Sequence, residues 1–103
     1  MATVMLLHWP EASAAQYDQV HAKARWDEDV PKGAQLHLCG FADDGMHILD
    51  VWDTEADFNA FFESRILPAV QEVGIAGQPN VTFYPLHSAF APALGKNKQT
   101  AAL

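Results

Sequence analysis

The apolar positions of this 103-residue chain recur with two different periods, and the alternation between them sets out the order of the elements. Thr3 to Trp9 (TVMLLHW) is a β-branched and apolar run that Pro10 stops, which predicts a strand covered on both faces. Ser13-Ala14-Ala15-Gln16 has the form of a capping box, and Tyr17, Val20 and Ala24 then recur at helical spacing. That helix is expected to end near Trp26, ahead of Asp27-Glu28-Asp29 and the turn signal Pro31-Lys32-Gly33. Gln35 to Phe41 reads as a second strand, Asp43-Asp44-Gly45 as a hairpin tip, and Met46 to Trp52 as the returning strand. Thr54 caps a second helix with Phe58, Phe61, Phe62, Ile66 and Val70 on one side. Pro68 falls within that helix and is expected to kink or split it. Gly74 closes it, Gly77-Gln78-Pro79-Asn80 turns the chain, and Val81 to His87 forms a last strand.

The order β-α-β-β-α-β is the split βαβ unit of ferredoxin-like folds: an α+β domain over residues 1–88, with both helices on one face of a four-stranded antiparallel sheet. Residues 89–103, rich in Ala, Pro, Gly and Lys without a period, are expected to form a flexible C-terminal tail. The strands lack the alternation of a sheet with one wet face. Val4 and Leu6 oppose Met5 and Leu7; Leu36 and Leu38 oppose His37, Cys39 and Phe41; Leu49 and Val51 oppose Ile48, Asp50 and Trp52. Two helices cover one face only. The other would expose more than the roughly 300–600 Å² of contiguous apolar surface usual for a monomer, so a homodimer packed through the sheet is expected.

Asp50 to Glu55 (DVWDTE) with Phe58, Phe61 and Phe62, followed by Val81 to His87 (VTFYPLH), resembles the antibiotic-biosynthesis monooxygenase superfamily of dimeric α+β barrels. The likeness extends over about residues 3–87 in element order, and its motifs are soft. The superfamily holds cofactor-free quinone-forming monooxygenases, haem-degrading enzymes, polyketide cyclases and members with no known activity. What the resemblance implies is a pocket in each subunit between the sheet and its two helices. It does not choose among these reactions.

The hairpin decides which polar groups share that pocket. A four-residue loop pairs Phe41 with Met46 and sets His37 across from Asp50, whereas an Asp44-Gly45 turn sets His37 opposite Trp52 and Asp50 opposite Cys39. Both place His37, Cys39, Phe41, Ile48, Asp50 and Trp52 on one face; a loop of odd length would break the grouping. A mid-strand carboxylate needs a partner when buried. His37 is the candidate, and a carboxylate-oriented imidazole makes a general base near neutral pH. The competing reading is a structural Asp–His pair, or Asp50 bonded to backbone amides. The expected catalytic residues are therefore His37 and Asp50. Trp9, Tyr17, Phe41, Ile48, Trp52 and Phe62 are the expected contacts to an apolar or aromatic ligand, although core packing is the commoner use of such side chains. Trp26 reads as a cover for the edge of the first helix.

Composition narrows the partners. Thirteen acidic against six basic residues give a formal charge of -7, which argues against nucleic acid and anionic membranes. Two of the positives, Lys96 and Lys98, lie in the tail. No apolar run is long enough to cross a bilayer and no signal peptide is evident, so a cytoplasmic location is expected. The single cysteine, Cys39, excludes an internal disulfide and any CxxC motif, and reads as a small apolar side chain. No metal is expected: His37 and Cys39 lack further ligands at a familiar spacing, and His8, His47 and His87 read as surface residues near strand ends. No resident cofactor is expected either, since phosphate-binding loops and the GxSxG and HExxH patterns are absent. A haem would need a helix histidine; the second helix has none and the first only His21, beside the apolar stripe. The function expected is proton abstraction from an aromatic or polyketide-like compound, ending in monooxygenation or cyclisation. A non-catalytic binding protein and a purely structural dimer are the alternatives.

Overall fold

The computed structural model describes residues 1–93; the part of the expected tail at 94–103 lies outside the described residues. Its element order is β1 (Thr3–Trp9), α1 (Ala14–Ala24), β2 (Ala34–Ala42), β3 (Gly45–Trp52), α2 (Glu55–Phe61), a π-helical stretch (Phe62–Ile66), α3 (Leu67–Val73) and β4 (Asn80–Pro85). The strands form one antiparallel sheet in the order β2-β3-β1-β4. This is the ferredoxin-like α+β arrangement expected from the periodicities. No helix among the described residues is long and apolar enough to cross a membrane.

The helix ends follow local chemistry. The Ser13 side chain accepts from the Gln16 amide while the Gln16 side chain accepts from the Ser13 amide, so the capping box closes in both directions. Helix α1 stops at Ala24, two residues before the expected end, because Arg25 turns left-handed (φ 53°) and its N–H bonds back to the His21 carbonyl. Thr54 caps α2 through the Asp57 amide, and Gly74 ends α3 in the left-handed region.

Pro68 exerts the expected effect in an unexpected form. The helix is split into two α-helical segments, α2 and α3, but a single π-helical stretch joins them, and Pro68 falls in the first turn of α3, where a missing N–H costs little. Arg65 holds that stretch in place, donating from Nη2 to the Ala24 carbonyl (2.5 Å) and from Nη1 to the Asp29 carbonyl (2.8 Å). A carbonyl at the end of α1 is satisfied in the same contact.

The main core cluster lies between the helices and one sheet face. Met5, Leu7, Trp9, Met46 and Trp52 are buried with Val20, Phe58, Ala69 and Val70, and Cys39, Ile48 and Phe83 are packed against them. Strand residues of the other parity, including Val4, Leu6, Leu36, Leu38, Leu49 and Tyr84, take no part in this cluster. Leu6, Leu38 and Tyr84 are exposed in the single chain at 37%, 42% and 50%.

Candidate functional site

The β2–β3 hairpin pairs Phe41 with Met46 and Ala42 with Gly45, leaving Asp43-Asp44 at the tip. His37 therefore stands directly across from Asp50, as the four-residue loop requires, and Met5 on β1 flanks Asp50 from the other side. Every residue of one parity thus faces the helices, and a cavity of about 250 Å³ remains between them. That is just below the roughly 300–1,000 Å³ typical of small-molecule pockets. Trp9, Tyr17, His37, Ile48, Asp50, Trp52 and Phe62 all line it; Phe41 does not. Phe41 lies on the same face but at the sheet edge, 45% exposed, and meets the Tyr17 ring edge-on.

Asp50 is buried, 5% exposed, with both oxygens occupied. His37 Nδ1 lies 2.7 Å from Oδ1, and Trp52 Nε1 donates to Oδ2 at 3.0 Å. With a carboxylate at Oδ1, Nδ1 must carry the proton and Nε2 is left with its lone pair in the ring plane. The Tyr17 hydroxyl sits 2.6 Å from that Nε2. The two ring planes lie within 3° of parallel, with their centroids 6.0 Å apart. Asp50, His37 and Tyr17 form one hydrogen-bonded string, running from the interior of the sheet to the cavity wall.

The site's electrostatics follow from its dryness. Burial, and after it the negative charge of its neighbours including Asp50, pushes the Tyr17 phenol far above its ordinary range. Burial likewise pushes the Cys39 thiol up to about 11, which keeps it protonated and unreactive. Tyr17 is therefore a phenol at neutral pH, with a hydroxyl able to donate a hydrogen bond.

Trp26, read from the sequence as an edge cover, lines the cavity and packs edge-on to His37 at 5.2 Å. It also meets the Tyr17 ring at 5.8 Å and stacks at 4.3 Å on His21, which Asp27 holds at Nε2. No periodicity signals this, because Trp26 lies past the left-handed turn at Arg25 that swings the chain back over the sheet. Trp52 lies on the expected face, and its bond to Asp50 is signalled along the chain only by their i, i+2 spacing on one strand face. At the opposite end, Trp9 Nε1 donates to the Ala76 carbonyl at 2.8 Å and ties the loop after α3 across the cavity floor.

No protein-family model matches the chain, and no curated protein does. Solved structures do. SnoaB, a cofactor-independent oxygenase from Streptomyces nogalater, superposes with a TM-score of 0.59 at 13% identity, covering 85% of this chain and 94% of that one. A hydroxynitrile lyase from Passiflora edulis gives 0.55 at 19% identity over 87% and 97%. A dimeric ferredoxin-like protein of unknown function from Thermobifida fusca gives 0.59 at 12% identity over 84% and 92%. The chain has the fold of these proteins. The architecture expected from the sequence resemblance is thus shared with solved structures at the level of the fold.

Proposed function

We propose that this protein is a homodimeric enzyme that takes an aromatic or polyketide-like compound into the cavity and removes a proton from it without a bound cofactor. The observation that carries this reading is the Asp50–His37–Tyr17 string ending at the wall of an otherwise apolar chamber. A substrate's acidic O–H or C–H placed against Tyr17 passes its proton to the phenolic oxygen as the tyrosine proton moves to His37 Nε2. Asp50 then stabilises the imidazolium. A high phenol pKa suits this concerted relay, because no free phenolate accumulates. Trp9, Trp52, Ile48 and Phe62 hold the ring system, with Phe41 closing over Tyr17 at the edge. The carbanion then reacts with dioxygen, a methylene and O₂ giving a carbonyl and water, or closes on an internal carbonyl. The fold shared with a cofactor-independent oxygenase supports the first outcome.

A binding role without turnover has one observation in its favour: Nε2 is already occupied by Tyr17. Anthrone, whose methylene is acidic and whose quinone absorbs strongly, separates the two readings. Tag-free protein in air with no added cofactor is expected to accelerate quinone formation, and Tyr17→Phe to slow it by about 10²-fold. Saturable quenching of tryptophan fluorescence by anthrone with no acceleration would leave a binding protein, and an unchanged rate in Tyr17→Phe would remove the relay.

The dimer follows from the sheet face that carries Leu6, Leu38 and Tyr84, and a fold neighbour described as dimeric supports it. Light scattering at micromolar concentration is expected to give twice the chain mass, and Leu38→Lys to shift it toward one chain or into aggregates. A well-behaved wild-type monomer would contradict the pairing.

A further inference from the structure

On the sheet face turned away from the cavity, His8 of β1 and His47 of β3 are directly paired in register. Their rings stack at 4.5 Å and within 10° of parallel, so both imidazoles present their outer nitrogens in one direction. That direction is Asp44, at the hairpin tip. His47 Nε2 lies 2.7 Å from Asp44 Oδ1; His8 Nε2 lies 3.6 Å from Oδ2 and 2.8 Å from the Asp44 backbone carbonyl oxygen. The three ligand atoms all fall within 4.8 Å of one another. We propose that His8, His47 and Asp44 form a binding site for one divalent transition cation of the zinc type.

The geometry is close to what such an ion needs. Bonds of about 2.0–2.2 Å from nitrogen and carboxylate oxygen place tetrahedral ligand atoms roughly 3.4 Å apart. The present separations bracket that value, and in the single chain His47 and Asp44 are exposed. They lie at the hairpin-tip end of the face that carries Leu6 and Leu38, so the site requires that the dimer leave this end of the sheet open. Two imidazoles and a carboxylate, without thiolate, favour zinc, cobalt, nickel or copper(II) over calcium or magnesium. The Asp44 carbonyl and water are available for the remaining positions.

The backbone positions the carboxylate before any ion arrives. Gly45 has φ 115°, and a Cβ there would lie 2.5 Å from Pro10 Cα and 2.7 Å from the Trp9 carbonyl oxygen. Only glycine lets the hairpin tip close onto the end of β1, and that closure sets Asp44 beside His8. The acidic chain adds a favourable field for a cation. Because alternate strand residues face opposite ways, this site shares no ligand with the His37–Asp50 pair, and it does not depend on what the cavity does.

The test is calorimetric titration of tag-free, chelator-treated full-length protein with Zn²⁺, repeated with Co²⁺ to read coordination from its visible absorption. The expected result is one ion per chain with micromolar or tighter affinity. His47→Ala and Asp44→Asn should each weaken binding by roughly tenfold or more, while His21→Ala, whose Asp27 pair lies elsewhere, should not. Zinc should also raise the unfolding temperature of the wild type and not of His47→Ala. Absence of binding at millimolar zinc, or equal affinity in wild type and His47→Ala, overturns the assignment.

Discussion

Replacing His37 with Gln is expected to lower the rate of anthrone turnover by about 10²–10⁴-fold while leaving anthrone affinity within about twofold. The substitution isolates proton transfer from shape. A glutamine amide can donate to Asp50 and accept from Tyr17, so the hydrogen-bonded string survives, but it offers no basic nitrogen to receive a proton. Packing changes little, because β2 is an edge strand and the His37 side chain is 32% exposed. Loss of rate with retained affinity therefore reports chemistry. Stopped-flow quinone formation gives the rate, and tryptophan quenching gives the affinity. A variant as fast as wild type would leave the Asp50–His37 pair with a structural role only.

The sequence carried the arrangement up to the point where tertiary register takes over. Period two along each strand groups His37 with Cys39 and Phe41, and Ile48 with Asp50 and Trp52, but only a loop of even length brings the two sets to one face. Which residue opposes Asp50 depended on the loop, and two loop lengths were open until Ala42 was seen to pair with Gly45. The Tyr17–His37 bond was beyond reach for a different reason. Tyr17 was legible as a residue of the buried stripe, but the height of its hydroxyl over the sheet depends on how Val20 and Ala24 seat α1. The pairing of His8 with His47 likewise exists only once β1 and β3 are aligned. Along the chain the two histidines are 39 positions apart and look like ordinary surface residues. The π-helical turn shows the complementary case: Pro68 announced a disturbance, and the Arg65 contacts to α1 decided its form.

Asp50 supplies the second large effect, and two substitutions divide its roles. In Asp50→Asn the amide can still satisfy both neighbours, its oxygen accepting from Trp52 Nε1 and its nitrogen donating to His37 Nδ1. That second bond requires the histidine proton to move to Nε2, where it donates to the Tyr17 oxygen. The base then presents a hydrogen to the cavity side instead of a lone pair, and the rate should fall by about 10²–10⁴-fold for a stability loss of only about 1 kcal/mol. Asp50→Ala offers no such compensation. Trp52 Nε1 is left buried without an acceptor, which costs about 1–3 kcal/mol before the lost bond to His37 is added. At roughly 4–8 °C per kcal/mol for a domain of this size, its midpoint should drop by about 10–20 °C, against less than about 8 °C for Asp50→Asn. Thermal unfolding of both variants beside their turnover rates measures the separation. If Asp50→Asn kept wild-type activity, the carboxylate would be acting only as an acceptor for the indole and imidazole. If Asp50→Ala melted with the wild type, the buried bonds to Trp52 and His37 would not be supporting the sheet at all.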